Sequence, residues 1–240
     1  MEKIVVHNRC GLGDHIICNG IINHLTENNY VYLVCREFTV ETLKCLYKDN
    51  PRVELRITEH RELGVYHDRH VASLAEELGA RNFGIATHRV EMARYQECMY
   101  EWSNLPFEYR YSKFRLPKEI PGRKELYDRL RPKGRYALVH FEGSNGPSHI
   151  KWDEHISPDL ERLEIKPKSN NLLDWIDLIL EAEEIHCVPS GPFHFVDSIW
   201  QQVKAKKVFH NSRSSSNFNP NNEYNQGCWT VVDYKVKLWT

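Results

Sequence analysis

The chain has 240 residues, enough to bury one sizeable core or two small ones. Hydrophobic residues make up 41% and charged residues 27%, the balance of a soluble globular protein, which excludes general disorder. A net charge of −1 gives no global reason to expect a nucleic-acid partner, and no apolar run nears the roughly 18 residues a membrane span needs. Polar residues interrupt the opening too early for a secretory signal. The seven cysteines are scattered, odd in number and without a Cys-X-X-Cys pair, which predicts reduced thiols in a cytosolic protein.

In chain order, residues 3–7 predict a buried strand, and residues 15–26 predict a helix with Ile17, Ile21 and Leu25 on one face. Gly20 beside that face allows close packing. Tyr30-Val-Tyr-Leu-Val-Cys35 is a second strand, 38–48 a helix and Val53-Glu-Leu-Arg-Ile57 a third strand. This alternation calls for a parallel, doubly wound sheet. Helical patterns follow at 68–78 and 91–103. Residues 110–135 then hold ten Lys/Arg against three Asp/Glu, with prolines at 117, 121 and 132. The stretch 116–134 reads as a linker between an N-terminal domain, 1–115, and a C-terminal domain, 135–240. The second half repeats the α/β pattern: strands at 136–141, 163–165, 184–188 and 207–209, with helices at 171–182 and 192–203. Residues 211–226 read as a loop, and the Trp229-Thr-Val-Val-Asp-Tyr tail as an edge strand.

Three places carry candidate chemistry. The first strand runs through Gly11-Leu-Gly13 into Asp14, at the start of a helix. Asp14 reads either as a helix cap or as a general base at the mouth of a ligand cleft. The dinucleotide pattern Gly-X-Gly-X-X-Gly fails because position 16 is Ile, and no P-loop follows. Downstream, Ser190-Gly191 joins a strand to a helix whose first residue is Pro192, and N–H groups at such a start suit a diphosphate. His194, one turn in, is either a packed helix histidine or a ligand contact. The loop Gly143-Ser-Asn-Gly-Pro-Ser-His-Ile-Lys-Trp152 offers Ser144, Asn145 and Lys151 to an anion, or is a plain surface loop anchored by Trp152. His67-Asp-Arg-His70 is a weak metal pattern, and Asp-X-Asp is absent.

Gly11-Leu-Gly-Asp-His-Ile-Ile-Cys-Asn-Gly-Ile-Ile-Asn-His-Leu25 resembles the N-terminal signature of the lipopolysaccharide heptosyltransferase family. Val188-Pro-Ser-Gly-Pro-Phe-His-Phe-Val-Asp-Ser-Ile199 is similar to that family's donor motif, and His140-Phe-Glu-Gly-Ser144 with Lys151-Trp152 to its phosphate-contacting segment. The resemblance implies the GT-B architecture, two Rossmann-like domains facing a central cleft, here reduced in size. It also implies metal-independent, inverting transfer from a nucleotide-diphosphate sugar to a glycan or glycoconjugate hydroxyl, with no further cofactor. Asp14 matches the family's base. Gly13, Ser144, Asn145, Lys151, Ser190, Gly191 and His194 fall on the donor side, and Arg9, His15 and Tyr95 on the acceptor side. Three departures stand out: Pro189 replaces the donor-motif Asp, Lys151 directly precedes Trp152 with His149 at the family's Lys position, and the segment from Trp152 to Ser190 is short.

Rival readings keep their own signatures. A non-catalytic GT-B-like module binding a nucleotide or glycan is favoured by Pro189. An RNA-binding or membrane-surface role would rest on 110–135, where the basic excess leaves room for peripheral membrane contact. A nucleotide-sugar epimerase or hydrolase would share the architecture.

Overall fold

The computed structural model describes residues 1–8, 11–58, 65–85, 94–143, 146–148, 150–166, 170–212 and 221–234, with backbone alone for 65–68. The chain divides into two compact units, Met1–Glu119 and Ile120–Thr240.

In the first unit, strands β1 (Glu2–His7), β2 (Asn29–Cys35), β3 (Val53–Ile57) and β4 (Arg81–Gly84) form one parallel sheet in the order β3-β2-β1-β4. The apolar run Ile4-Val5-Val6 is fully buried because β1 has a strand on each side and cover on both faces. β4 carries little apolar signal, Arg81-Asn-Phe-Gly, and is held by its register against β1, so the sequence pattern passes over it.

The single helix expected at 15–26 is two helices, α1 (Leu12–Ile17) and α2 (Asn19–Leu25), meeting at Cys18. The break has a neighbour: the Tyr100 hydroxyl donates to the Ile17 carbonyl at 2.8 Å. Gly20 sits beside it, where an added Cβ would lie 2.0 Å from the Tyr109 carbonyl oxygen and 2.9 Å from the Tyr100 hydroxyl. A short 3₁₀ turn, Glu37–Thr39, leads into α3 (Val40–Tyr47). α4 (Val65–Glu77), α5 (Tyr95–Trp102) and α6 (Tyr109–Ser112) complete the unit.

The stretch 116–134, read as a linker, contains the helix α7 (Arg123–Leu130), which packs against a 3₁₀ turn at Leu172–Trp175 and against α8 (Ile176–Glu181). Its basic residues face carboxylates of its own unit. Arg123 binds Asp177 at 2.9 and 2.6 Å, and Arg131 binds Glu181 at 2.9 Å. Arg135 reaches Asp159 at 2.7 Å and also pairs with Glu183, while Lys113 pairs with Glu27 in the first unit. Leu126 supplies the buried apolar contact that the charge-rich sequence hides. Gly122, just before α7, leaves room for the Asp174 carboxylate, which a Cβ would meet at 2.5 Å. The positive excess of 110–135 is therefore largely matched within the fold, which weakens the case for a lipid or RNA surface there.

The second unit carries β5 (Tyr136–His140), a small antiparallel pair β6 (Glu142–Gly143) and β7 (Gly146–Pro147), then β8 (Glu161–Glu164), β9 (Glu184–Cys187), β10 (Lys206–Asn211) and β11 (Trp229–Asp233). The main sheet is parallel, in the order β11-β10-β9-β5-β8, and β11 is the edge strand expected of the tail. α9 (Gly191–Ser198) connects β9 to β10. No α-helix lies in the short segment between β5 and β8 among its described residues. Ile150, Trp152, Ile156 and Leu160 instead pack on Ala137, Val139, Phe141 and Val188.

The close approach at Gly20 has a measurable consequence. Gly20→Ala should lower stability by about 3 kcal/mol, because backbone rather than a flexible side chain must yield. Gly134→Ala, whose Cβ would meet nothing within 4 Å, should change it by less than about 0.5 kcal/mol. Urea unfolding of both variants checks the pair, and equal effects would contradict the packing.

Candidate functional site

β1 ends at the buried His7, the buried Asn8 follows, and Gly11 is the N-cap of α1, in extended conformation (φ −77°, ψ 152°). Asp14 is thus the third residue of the helix rather than its cap, yet it does cap: its Oδ2 accepts the Gly11 N–H at 3.0 Å. The carboxylate also sits in the positive field of the helix start. Its other oxygen, Oδ1, accepts a hydrogen bond from the Tyr95 hydroxyl. Asp14 is half-buried. One carboxylate oxygen thus serves the turn, as the cap reading expects, and the other takes the Tyr95 hydroxyl.

The remaining acceptor-side and turn residues fall differently. Gly13 lies inside α1. His15 is fully buried, and Asn8 and His15 approach at 3.2 Å through Nδ2 and Nδ1. Burial, with Arg36 adding to it, pushes the His15 imidazole down to about 3, so it is neutral at physiological pH. An acceptor outside the fold does not reach it in this conformation. Arg9 lies outside the described residues, as do Ser144 and Asn145 and the side chain of His67.

In the second unit, Ser190 is the N-cap of α9, with Gly191 first and Pro192 second in the helix. Its hydroxyl donates back to the Val188 carbonyl at 2.8 Å, and the His194 N–H donates to the Ser190 carbonyl at 3.1 Å. The His194 ring is buried against Phe193, 4.9 Å between centroids, which is the packed-histidine reading. Lys151 is exposed. α9 is fixed from its other end. Asp197, fully buried, accepts the Asn225 amide at 3.0 Å and the Trp229 indole N–H at 3.1 Å.

One polar assembly escaped the sequence pattern. Glu184 on β9 is buried and accepts from the Ser157 N–H at 3.1 Å, the Ser157 hydroxyl at 2.7 Å and Lys206 at 3.0 Å. Burial pushes its carboxyl up, but the bonds from Ser157, His186 and Lys206 outweigh that and hold it down at about 2. Being ionised, Glu184 makes His186 donate from Nε2 at 3.0 Å. The neutral His186 then accepts at Nδ1 from His210 Nε2, 3.0 Å away, and His210 accepts at Nδ1 from the Tyr234 hydroxyl at 2.7 Å. Burial lowers both histidines, His210 to about 3 with His186 and His155 adding to it, and raises the Tyr234 phenol to about 12. The two histidines stand 24 positions apart and meet only because β9 and β10 pair, which no local motif reveals.

Among the described residues, no group of three or more His, Cys, Asp or Glu side chains is placed to hold a metal ion. No helix among them is long and apolar enough to cross a membrane.

No family model and no curated protein sequence matches the chain. Solved structures do. A glycosyl transferase family 9 protein from Veillonella parvula aligns over 97% of this chain and 87% of its own, with TM-score 0.58 at 13% identity. The ADP-heptose lipopolysaccharide heptosyltransferase II of E. coli aligns over 96% and 90%, with TM-score 0.56 at 12% identity. E. coli heptosyltransferase WaaC, solved with ADP, aligns over 96% and 93%, with TM-score 0.50 at 11% identity. The chain has a heptosyltransferase-like fold, the α/β GT-B class that its sequence resemblance implies.

The buried histidines set an acid limit on stability. Unfolded histidine binds a proton near 6.5 while folded His210 binds one only near 3, so stability should fall as pH drops from about 6.5 towards 3. His210→Phe should make that slope shallower by about one proton, while lowering stability at pH 8 by about 1–3 kcal/mol through the partners left behind. Urea unfolding at pH 4, 6 and 8 measures both, and an unchanged slope would contradict the assignment.

Proposed function

We propose that this chain is an inverting, metal-independent glycosyltransferase, moving a sugar from a nucleoside-diphosphate sugar to a hydroxyl of a glycan or glycoconjugate. One observation carries the reading: the Asp14 carboxylate is held at the start of the helix following central strand β1, in a fold shared with sugar transferases. Asp14 is the general base. It takes the proton of the acceptor hydroxyl as that oxygen attacks the anomeric carbon. The bond from that carbon to the diphosphate oxygen breaks, its electron pair leaves with the nucleoside diphosphate, and the anomeric centre inverts.

Charge develops on the departing diphosphate, and the N–H groups of Ser190 and Gly191 at the start of α9 receive it together with Lys151. Pro192 contributes no N–H, so the donors belong to its neighbours. Ser144 and Asn145 complete the donor side, and His194 supports the turn from its buried position. Arg9 belongs to the acceptor side in this scheme. The location proposed is the cytoplasm, in keeping with seven scattered cysteines without a Cys-X-X-Cys pair.

The E. coli relatives are named for ADP-heptose and for a complex with ADP, so ADP is the first ligand to try. Pro189 favours a second reading, a module that binds a nucleotide or glycan without catalysis, because it removes the polar side chain of the donor motif.

Thermal unfolding against ADP, UDP, GDP and CDP, with and without EDTA, tests the proposal. A ligand at 100 times its Kd adds about 2.7 kcal/mol to stability, a clear rise in midpoint. The expected result is a rise with one nucleotide that EDTA leaves unchanged. No rise with any would contradict a nucleotide-sugar donor, and a rise abolished by EDTA would contradict metal independence.

A further inference from the structure

The reading of Asp14 as a base leaves open what aims its carboxylate, and the packing of α5 supplies an answer. α5 meets α1 and its C-cap at three points. Tyr95 meets Asp14, Met99 meets Cys18 with 3.6 Å between sulfurs, and Tyr100 meets the Ile17 carbonyl at 2.8 Å. From the Asp14–Tyr95 contact to the other two, α5 advances four or five residues and the α1 segment three or four, about one turn in each. Met99 and Tyr100 are fully buried, so the far end of the pairing is fixed by packing. Its near end then delivers the Tyr95 hydroxyl to Oδ1 of Asp14, while the Gly11 N–H holds Oδ2.

We infer that Tyr95 is a positioning residue for the Asp14 carboxylate, orienting the base rather than recognising the acceptor. The inference rests on the proposed role of Asp14, yet its physical core does not. A carboxylate held from both oxygens keeps one orientation, which is the geometric demand of proton abstraction. Hydrogen bonding to the charged form also makes the base a weaker proton acceptor in exchange for that orientation.

Among the described residues, charged and titratable groups on the surrounding elements are these. On α1 His15 is neutral. At the start of α5 Arg94 pairs with Glu101, burial raises the Glu97 carboxyl against the pull of Arg94 and of Arg110 on α6, and Arg36 after β2 lies near His15.

The test is an NMR titration of the Asp14 side-chain carboxyl in the full chain, assigned by Asp14→Asn and compared with Tyr95→Phe. The ring remains in Tyr95→Phe and only the donor is lost. Its Asp14 midpoint should rise by about one pH unit. Tyr100→Phe removes the hydroxyl at Ile17 and should lower stability without moving the Asp14 midpoint. An unmoved midpoint in Tyr95→Phe would overturn the inference. A moved midpoint together with undiminished sugar transfer by Asp14→Asn would instead overturn the role of Asp14. Should Tyr95→Phe not fold, the Tyr95 phenol is followed by its ultraviolet titration in wild type and in Asp14→Asn. Its midpoint should fall when the carboxylate charge is removed, and an unchanged midpoint would be contrary.

Discussion

A carboxylate one turn into a helix, half-buried just past a buried stretch of strand, must be given hydrogen bonds if it is to stay charged and keep one orientation. Around Asp14 that requirement organises much of the first unit. β1, buried from Ile4 to His7, leads to the turn at Gly11. Gly20 has no side chain, which admits the backbone at Tyr109 and the ring of Tyr100. Tyr100 and Met99 then lay α5 along α1, and α5 carries Tyr95 to the carboxylate. A small residue six positions after Asp14 is thus linked to the carboxylate through a helix some eighty residues away.

The second unit solves a related problem differently. Its sheet buries Glu184, His186 and His210, and each is satisfied by a fixed neighbour, with Lys206 and Ser157 at one end and Tyr234 at the other. Lys207 is buried as well, donating to the carbonyls of Val203 and Ala205 at 2.8 and 3.2 Å. Paired polar groups of this kind pin the register of β9 against β10, because a one-residue slip would leave the charges alone. The same unit clamps α9 through Asp197, so the helix start at Ser190 is carried on a rigid element.

The sequence showed those parts of the fold whose cause is local. The strands β1, β2 and β5 carry continuous apolar runs, β3 and β9 mix apolar with polar residues, and all five stand close to where their pattern puts them. β4 and α7 do not announce themselves, since one is held by register and the other by ion pairs with α8. The break at Cys18 was hidden because its partner, Tyr100, lies 83 residues from Ile17. For the site, position was legible and partnership was not. Gly11, Asp14 and Ser190 could be read from strand–turn–helix patterns, whereas the hydroxyl of Tyr95 on Asp14 depends on helix packing. His15 looked available beside Asp14, but its side of α1 faces the core.

The proposed removal of the acceptor proton by Asp14 is tested most directly by single-turnover sugar transfer in wild type and Asp14→Asn at saturating donor. Donor affinity should be unchanged and the rate of the variant lower by about 10²–10⁴-fold, the usual worth of a positioned base. Equal rates for the two proteins would contradict it.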